Sequence, residues 1–140
     1  MISNDLIEAI KSLDSKIDFE DDSQSFILEK ENVKNWIDIA KVLKENKNFD
    51  YLMCITSLDL EEDGLALAYN LHSTSSKVSI EFKLYFNESQ EIPSVESIWK
   101  TADWHEREAF DLMGIKFSNH PNLKRILLPD DWEGHPLRKD

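Results

Sequence analysis

Hydrophobic and polar positions along this chain follow two periods, and the switches between them mark the predicted elements. In SNDLIEAIKSL, Leu6, Ile7, Ile10 and Leu13 recur at helical spacing behind Ser3 and Asn4, either of which can cap, so a first helix is predicted. An acidic loop, DFEDDSQ, separates it from the short β-prone run SFILEK. The segment NVKNWIDIAKVLKEN then sets Val33, Trp36, Ile37, Ala40 and Leu43 on one face of a second helix, with Asn32 as its N-cap.

Period two takes over for three strands. YLMCITSL is apolar on both faces, as a central strand would be, while LALAYNLHS alternates Leu65, Leu67, Tyr69 and Leu71 with smaller or polar residues. In KVSIEFKLYF, Val78, Ile80, Phe82, Leu84 and Phe86 face one way and Ser79, Glu81, Lys83 and Tyr85 the other. The short connectors EEDG and STSS make these three an antiparallel meander. EIPSVESIWKTADWHEREAFDLMGI then reads as a helical region in two parts, the first opened by Pro93 and Ser94, the second closed by Gly114.

The pattern predicts an α+β fold, an antiparallel sheet of about four strands with helices packed on one face. That domain is assigned to residues 1–115. Residues 116–140 are assigned to an extended irregular arm, because Pro121, Pro129 and Pro136 forbid a regular helix or strand there. Ile126, Leu127, Leu128 and Trp132 leave two readings of that arm: it folds back on its own sheet, or it docks a partner. A long irregular segment with aromatic anchors and arginines favours the second.

Composition narrows the possibilities. A chain of 140 residues fits one domain. Its net charge of −12 argues against nucleic acid as a partner. The acidity sits in the body: residues 1–102 carry 10 basic and 20 acidic groups, and residues 103–140 carry 6 and 8. A single cysteine, Cys54, offers neither a disulfide nor a multi-cysteine metal site. The sequence begins without a basic and apolar leader pattern and contains no long apolar run, so a cytosolic location is expected.

No catalytic residue and no metal site is predicted. WHERE resembles a zinc-binding helix, but the position four after His105 is Ala109, so the second imidazole is missing. Glu106 and Glu108, two residues apart on a helix, point in different directions and make a poor acid/base pair. All three arginines, Arg107, Arg125 and Arg138, fall in the last 38 residues, where planar carboxylate recognition at an interface would use them.

The run EREAFDLMGIKFSNHPNLKRILLPDDWEGHPLRKD, from Glu106 to the end, resembles the signature of the 30 kDa subunit family, the C subunit, of NADH:quinone oxidoreductase, respiratory complex I. Glu106 to Leu127 matches the pattern throughout, and IPSVESIWKTADW and LALAYNL also fit, so the likeness covers roughly residues 50–140. The resemblance implies a member of the peripheral arm without a cofactor of its own, lying beside the D, B and I subunits. FMN, iron–sulfur clusters and quinone would belong to those partners. It implies a peripheral protein on the cytoplasmic side of the membrane, held there through the complex.

By the same resemblance Glu106, Arg107, Glu108 and Asp111 anchor the signature helix, which Gly114 ends. His120, Pro121, Arg125, Asp130, Asp131, Trp132, Gly134, His135, Pro136, Arg138 and Lys139 would meet neighbouring subunits. Related subunits of membrane-bound hydrogenases and of plastid or cyanobacterial complexes are the alternative, as is a free-standing adaptor. A free-standing enzyme using Glu106, Glu108 and His105 is disfavoured by the missing nucleophile and metal spacing.

Overall fold

The fold was obtained as a computed structural model, which describes residues 2–121. Its centre is a five-stranded sheet in the order β1-β2-β5-β4-β3. β3 (Tyr51–Asp59), β4 (Leu65–Ser73) and β5 (Val78–Phe86) form the predicted antiparallel meander. β2 (Ser25–Leu28) joins β5 in parallel, so the sheet is mostly rather than wholly antiparallel, with five strands instead of four. The fifth is β1 (Asp18–Glu20), which occupies the start of the expected acidic loop because Asp18, Phe19 and Glu20 pair antiparallel with Ile27, Phe26 and Ser25.

α1 (Asn4–Lys11) begins as its sequence predicts, with the Ser3 hydroxyl accepting from the Leu6 amide. α2 (Trp36–Glu45) begins later than predicted. Asn32 lies within a 3-10 segment, Lys30–Asn35, and is not the cap. Asn35 precedes α2 without a side-chain capping bond, and its Nδ2 donates to Asp14 at 3.2 Å. Val33, Trp36, Ala40 and Leu43 are buried as expected, whereas Ile37 is only partly buried and Ile39 is buried, and Trp36 packs its indole on Tyr69, Phe82 and Trp99, with centroids 4.8, 4.7 and 6.5 Å away.

YLMCITSL is an edge strand, not a central one. A register shift between Leu52 and Cys54 rephases it, leaving Leu52 and Ile55 buried while Tyr51, Met53 and Leu58 are 46, 37 and 42% exposed. Burial on both faces falls instead to β4, where Ala66 lies in register between Leu58 and Tyr85, and Ala68 between Thr56 and Lys83. Small residues flanked by longer ones disappear beneath them.

The expected two-part helical region is one helix. Glu91–Pro93 forms β6, and only α3 (Ala102–Met113) is regular, ended by Gly114 in the left-handed conformation at φ 76°. Between them, Ser94 and Val95 spend their amide donors on tertiary partners, the Ser118 carbonyl and Glu106. After α3, Lys116–Ser118 forms β7, paired in parallel with β6. Those residues, assigned to the arm from the sequence, are strand here, and residues 122–140 of the proposed arm lie outside the described part of the chain.

Candidate functional site

α3 carries the signature residues, and its burial period explains their arrangement. Ala102, Glu106, Ala109 and Met113 recur at helical spacing and are all buried, so a carboxylate stands where the period calls for an apolar side chain. The helix start is fixed from outside: the Thr101 hydroxyl donates to the Leu52 carbonyl of β3 at 3.0 Å. Just before it, Trp99 Nε1 donates to the Phe49 carbonyl at 2.9 Å, and Lys44 Nζ of α2 donates to the Ile98 carbonyl at 2.6 Å. These bonds hold the whole 94–101 turn against α2 and the edge of the sheet.

Glu106 is fully buried and satisfied on both oxygens. Ser94 Oγ donates to Oε1 at 2.6 Å, and the Val95 amide donates to Oε2 at 2.9 Å. Ser94 Oγ in turn accepts from the Glu96 amide at 3.2 Å, closing the turn. The third side is His120, two residues past β7, whose side chain is fully buried. Its Nε2 lies 3.8 Å from Glu106 Oε1 and 3.1 Å from Asp103 Oδ1. Asn119 reaches this position through a left-handed φ of 64°, a conformation asparagine tolerates better than most residues.

Burial pushes Glu106 up to about 7. The Ser94 and Val95 donors pull the other way, and the nearby charges of Glu96 and Asp103 add to the rise. Tyr69 of β4 is raised well above its ordinary value by burial and by the Glu106 charge. A buried acid near neutrality with bound donors, a histidine and a second carboxylate can hold or release a proton while joining three segments.

The other signature residues divide between body and surface. Asp111 is fully buried on α3, Arg107 and Glu108 are half-buried, and Pro121 is exposed. The Gly114 amide donates to the Phe110 carbonyl at 2.9 Å, the bond that ends the helix. Arg125, Asp130, Asp131, Trp132, Gly134, His135, Pro136, Arg138 and Lys139 lie outside the described residues. Ser94, Val95, Asp103 and Tyr69 were not singled out from the sequence. The register of Glu106 with Ala102, Ala109 and Met113 was the available signal for a buried carboxylate, and a buried carboxylate requires donors.

Among the described residues no three His, Cys, Asp or Glu side chains are grouped to hold a metal ion, and Cys54 Sγ accepts from the Asn70 amide at 3.4 Å. Among the same residues no helix is long and apolar enough to cross a membrane.

Residues 30–140 match the model of the family described as respiratory-chain NADH dehydrogenase, 30 Kd subunit, and the chain belongs to that family. It is 46% identical over 114 residues to the C subunit of the NADH-quinone oxidoreductase of Chloroherpeton thalassium, covering 79% of this chain and 48% of that protein. The C/D subunit of the Phocaeicola vulgatus NADH-quinone oxidoreductase is 41% identical over 100 residues, covering 70% of this chain and 19% of its own length. The chain thus spans about half of the first relative and a fifth of the second.

Two solved structures share the fold. A trypsin-resistant fragment of Nqo5 superposes with a TM-score of 0.68 at 24% identity, over 85% of this chain and 97% of the fragment. A chain of an archaeal membrane-bound sulfane sulfur reductase superposes with a TM-score of 0.76 at 20% identity, over 96% and 82%.

Proposed function

We propose that this chain is a structural and assembly component of the peripheral arm of a proton-translocating NADH:quinone oxidoreductase. In that reading it holds no active site of its own. It docks the D subunit, which helps form the quinone site, and the iron–sulfur B and I subunits, while the complex passes electrons from NADH through FMN and iron–sulfur centres to quinone. The protein sits on the cytoplasmic side of the membrane and reaches it only through the complex. One cysteine in the sequence cannot supply the thiolate set of an iron–sulfur cluster, which fits clusters carried by neighbours.

The observation that carries the reading is the family match over residues 30–140, which includes the whole signature helix and closing segment. The Phocaeicola vulgatus relative supports D as a neighbour, since one chain there bears both the C and the D designation. The buried Glu106 cluster supplies a physical role for the signature: it fixes the point from which the chain runs on to residue 122. Affinity capture of the intact chain from native membranes tests the proposal. Flavin- and iron–sulfur-containing partners are expected with it, and their absence would refute it.

A second reading is favoured by the fold likeness to the sulfane sulfur reductase chain: the same architecture serving a membrane complex with a different donor or acceptor. NADH oxidation by the captured complex separates the two.

A further inference from the structure

We propose that Glu106 is a positioning residue that works as a proton-bearing latch, tying the Ser94–Val95 turn, α3 and His120 together according to whether a proton occupies its carboxyl group. Among the described residues, the groups facing it come from four elements and the turns between them. Ser94 and Val95 approach from the turn after β6, bringing Glu96 nearby; Asp103 lies one turn earlier on α3; Tyr69 comes from β4; and His120 from the segment after β7. Of these, Asp103 has a side chain substantially open to solvent, at 45%.

The arrangement gives the carboxyl two distinguishable states. Protonated, Glu106 is a neutral group in a dry site: it still accepts from the Val95 amide, and one of the two protons carried by Ser94 Oγ and the carboxyl group bridges their oxygens. Ionised, it places a charge in the same dry site, close to the Asp103 carboxylate and 3.8 Å from the imidazole of His120. His120 is the next-to-last described residue, so the charge state of Glu106 acts where the chain runs on to residue 122. Proton release places a charge in the buried cluster and loosens the folded body as a whole.

The test uses the full chain and does not need partners. The unfolding constants of wild type and Glu106→Gln are measured by urea titration at several pH values, and their ratio cancels every group the two share. With the carboxyl pushed up to about 7, the ratio of wild type to variant should rise roughly 100-fold between pH 4.5 and 7.5. A ratio that stays flat or falls would overturn the latch, because a merely structural contact shifts stability by a constant. If the variant does not fold, wild type with carboxyl-labelled glutamate decides the matter by NMR. One resonance titrating near neutrality, and sensitive to His120→Asn, supports the proposal; all glutamates titrating in the ordinary range refute it.

The consequence for assembly rests on the proposed function. Capture of partners by wild type should vary between pH 6 and pH 8, and capture by Glu106→Gln should not. If wild type captures no partner at either pH while the titration succeeds, the assembly reading fails and the latch stands.

Discussion

His120 Nε2 lies 3.1 Å from Asp103 Oδ1, so the segment that follows β7 is held by the first turn of the signature helix. Asp103 is nearly half exposed, and a polar contact so placed contributes up to about 1 kcal/mol. Asp103→Asn should therefore cost no more than that in urea denaturation. His120→Ala should cost more, roughly 2 kcal/mol, since it empties buried space and removes the group beside Glu106.

Truncating Glu106 strands its donors. In Glu106→Ala, Ser94 Oγ and the Val95 amide lose their acceptor inside the body, at a cost of about 2–4 kcal/mol. Hydrogen exchange at the Val95 amide should accelerate in that variant while amides of β4 and β5 lose protection only in proportion to global stability.

The sign of the pH effect follows from the raised carboxyl. A folded-state value of about 7 against an ordinary 4.5 means that the folded chain binds the extra proton. Stability from this group is complete below about 4.5 and is lost as pH rises through 7, by roughly 3 kcal/mol at most. Stability against pH should slope downward across that window, the reverse of a salt-bridged carboxylate.

Gly64 has no tolerable replacement. It turns between β3 and β4 at φ 98° and ψ −144°, and an added Cβ would lie 2.5 Å from the Phe86 carbonyl oxygen. Gly64→Ala should cost about 2 kcal/mol or more, from backbone strain and from displacing the end of β5. The midpoint of thermal unfolding checks this, with Gly114→Ala, at φ 76° on a helix end, as the milder comparison at about 1 kcal/mol.

Trp36 is the core residue most sensitive to truncation. It is fully buried and touches the sheet through Tyr69 and Phe82 and the 94–101 turn through Trp99, so Trp36→Ala should cost roughly 3–5 kcal/mol. Near-ultraviolet circular dichroism should lose intensity together with stability.

The meander, α1, α2 and the end of α3 were legible because each rests on a local cause: alternation in KVSIEFKLYF, a Ser3 cap, a left-handed Gly114. The edge position of β3 was not, because strand order depends on what else joins the sheet, and a register shift at Met53 changes which side chains are covered. β1 and β6 were hidden for a related reason. Three-residue strands such as Asp18–Glu20 and Glu91–Pro93 exist through their partners and leave almost no period of their own. At the site, the signature helix and its family likeness were readable in Glu106, Arg107, Glu108 and Asp111. The burial of Glu106 and its bonds to Ser94 and Val95 needed the tertiary fold, which brings residues 11 and 12 positions apart into contact.

Complementation decides whether this chain joins a NADH:quinone oxidoreductase through its closing segment. Membranes from cells lacking the chain are supplied with either the full sequence or a version ending after Pro121, which keeps β7 and His120, and NADH:quinone electron transfer is measured. The full chain should restore transfer, and the shortened chain, checked to be folded by circular dichroism, should not. Full restoration by the shortened chain would contradict the role of residues 122–140, and failure of the full chain to enter the NADH-oxidising complex would contradict the claim itself.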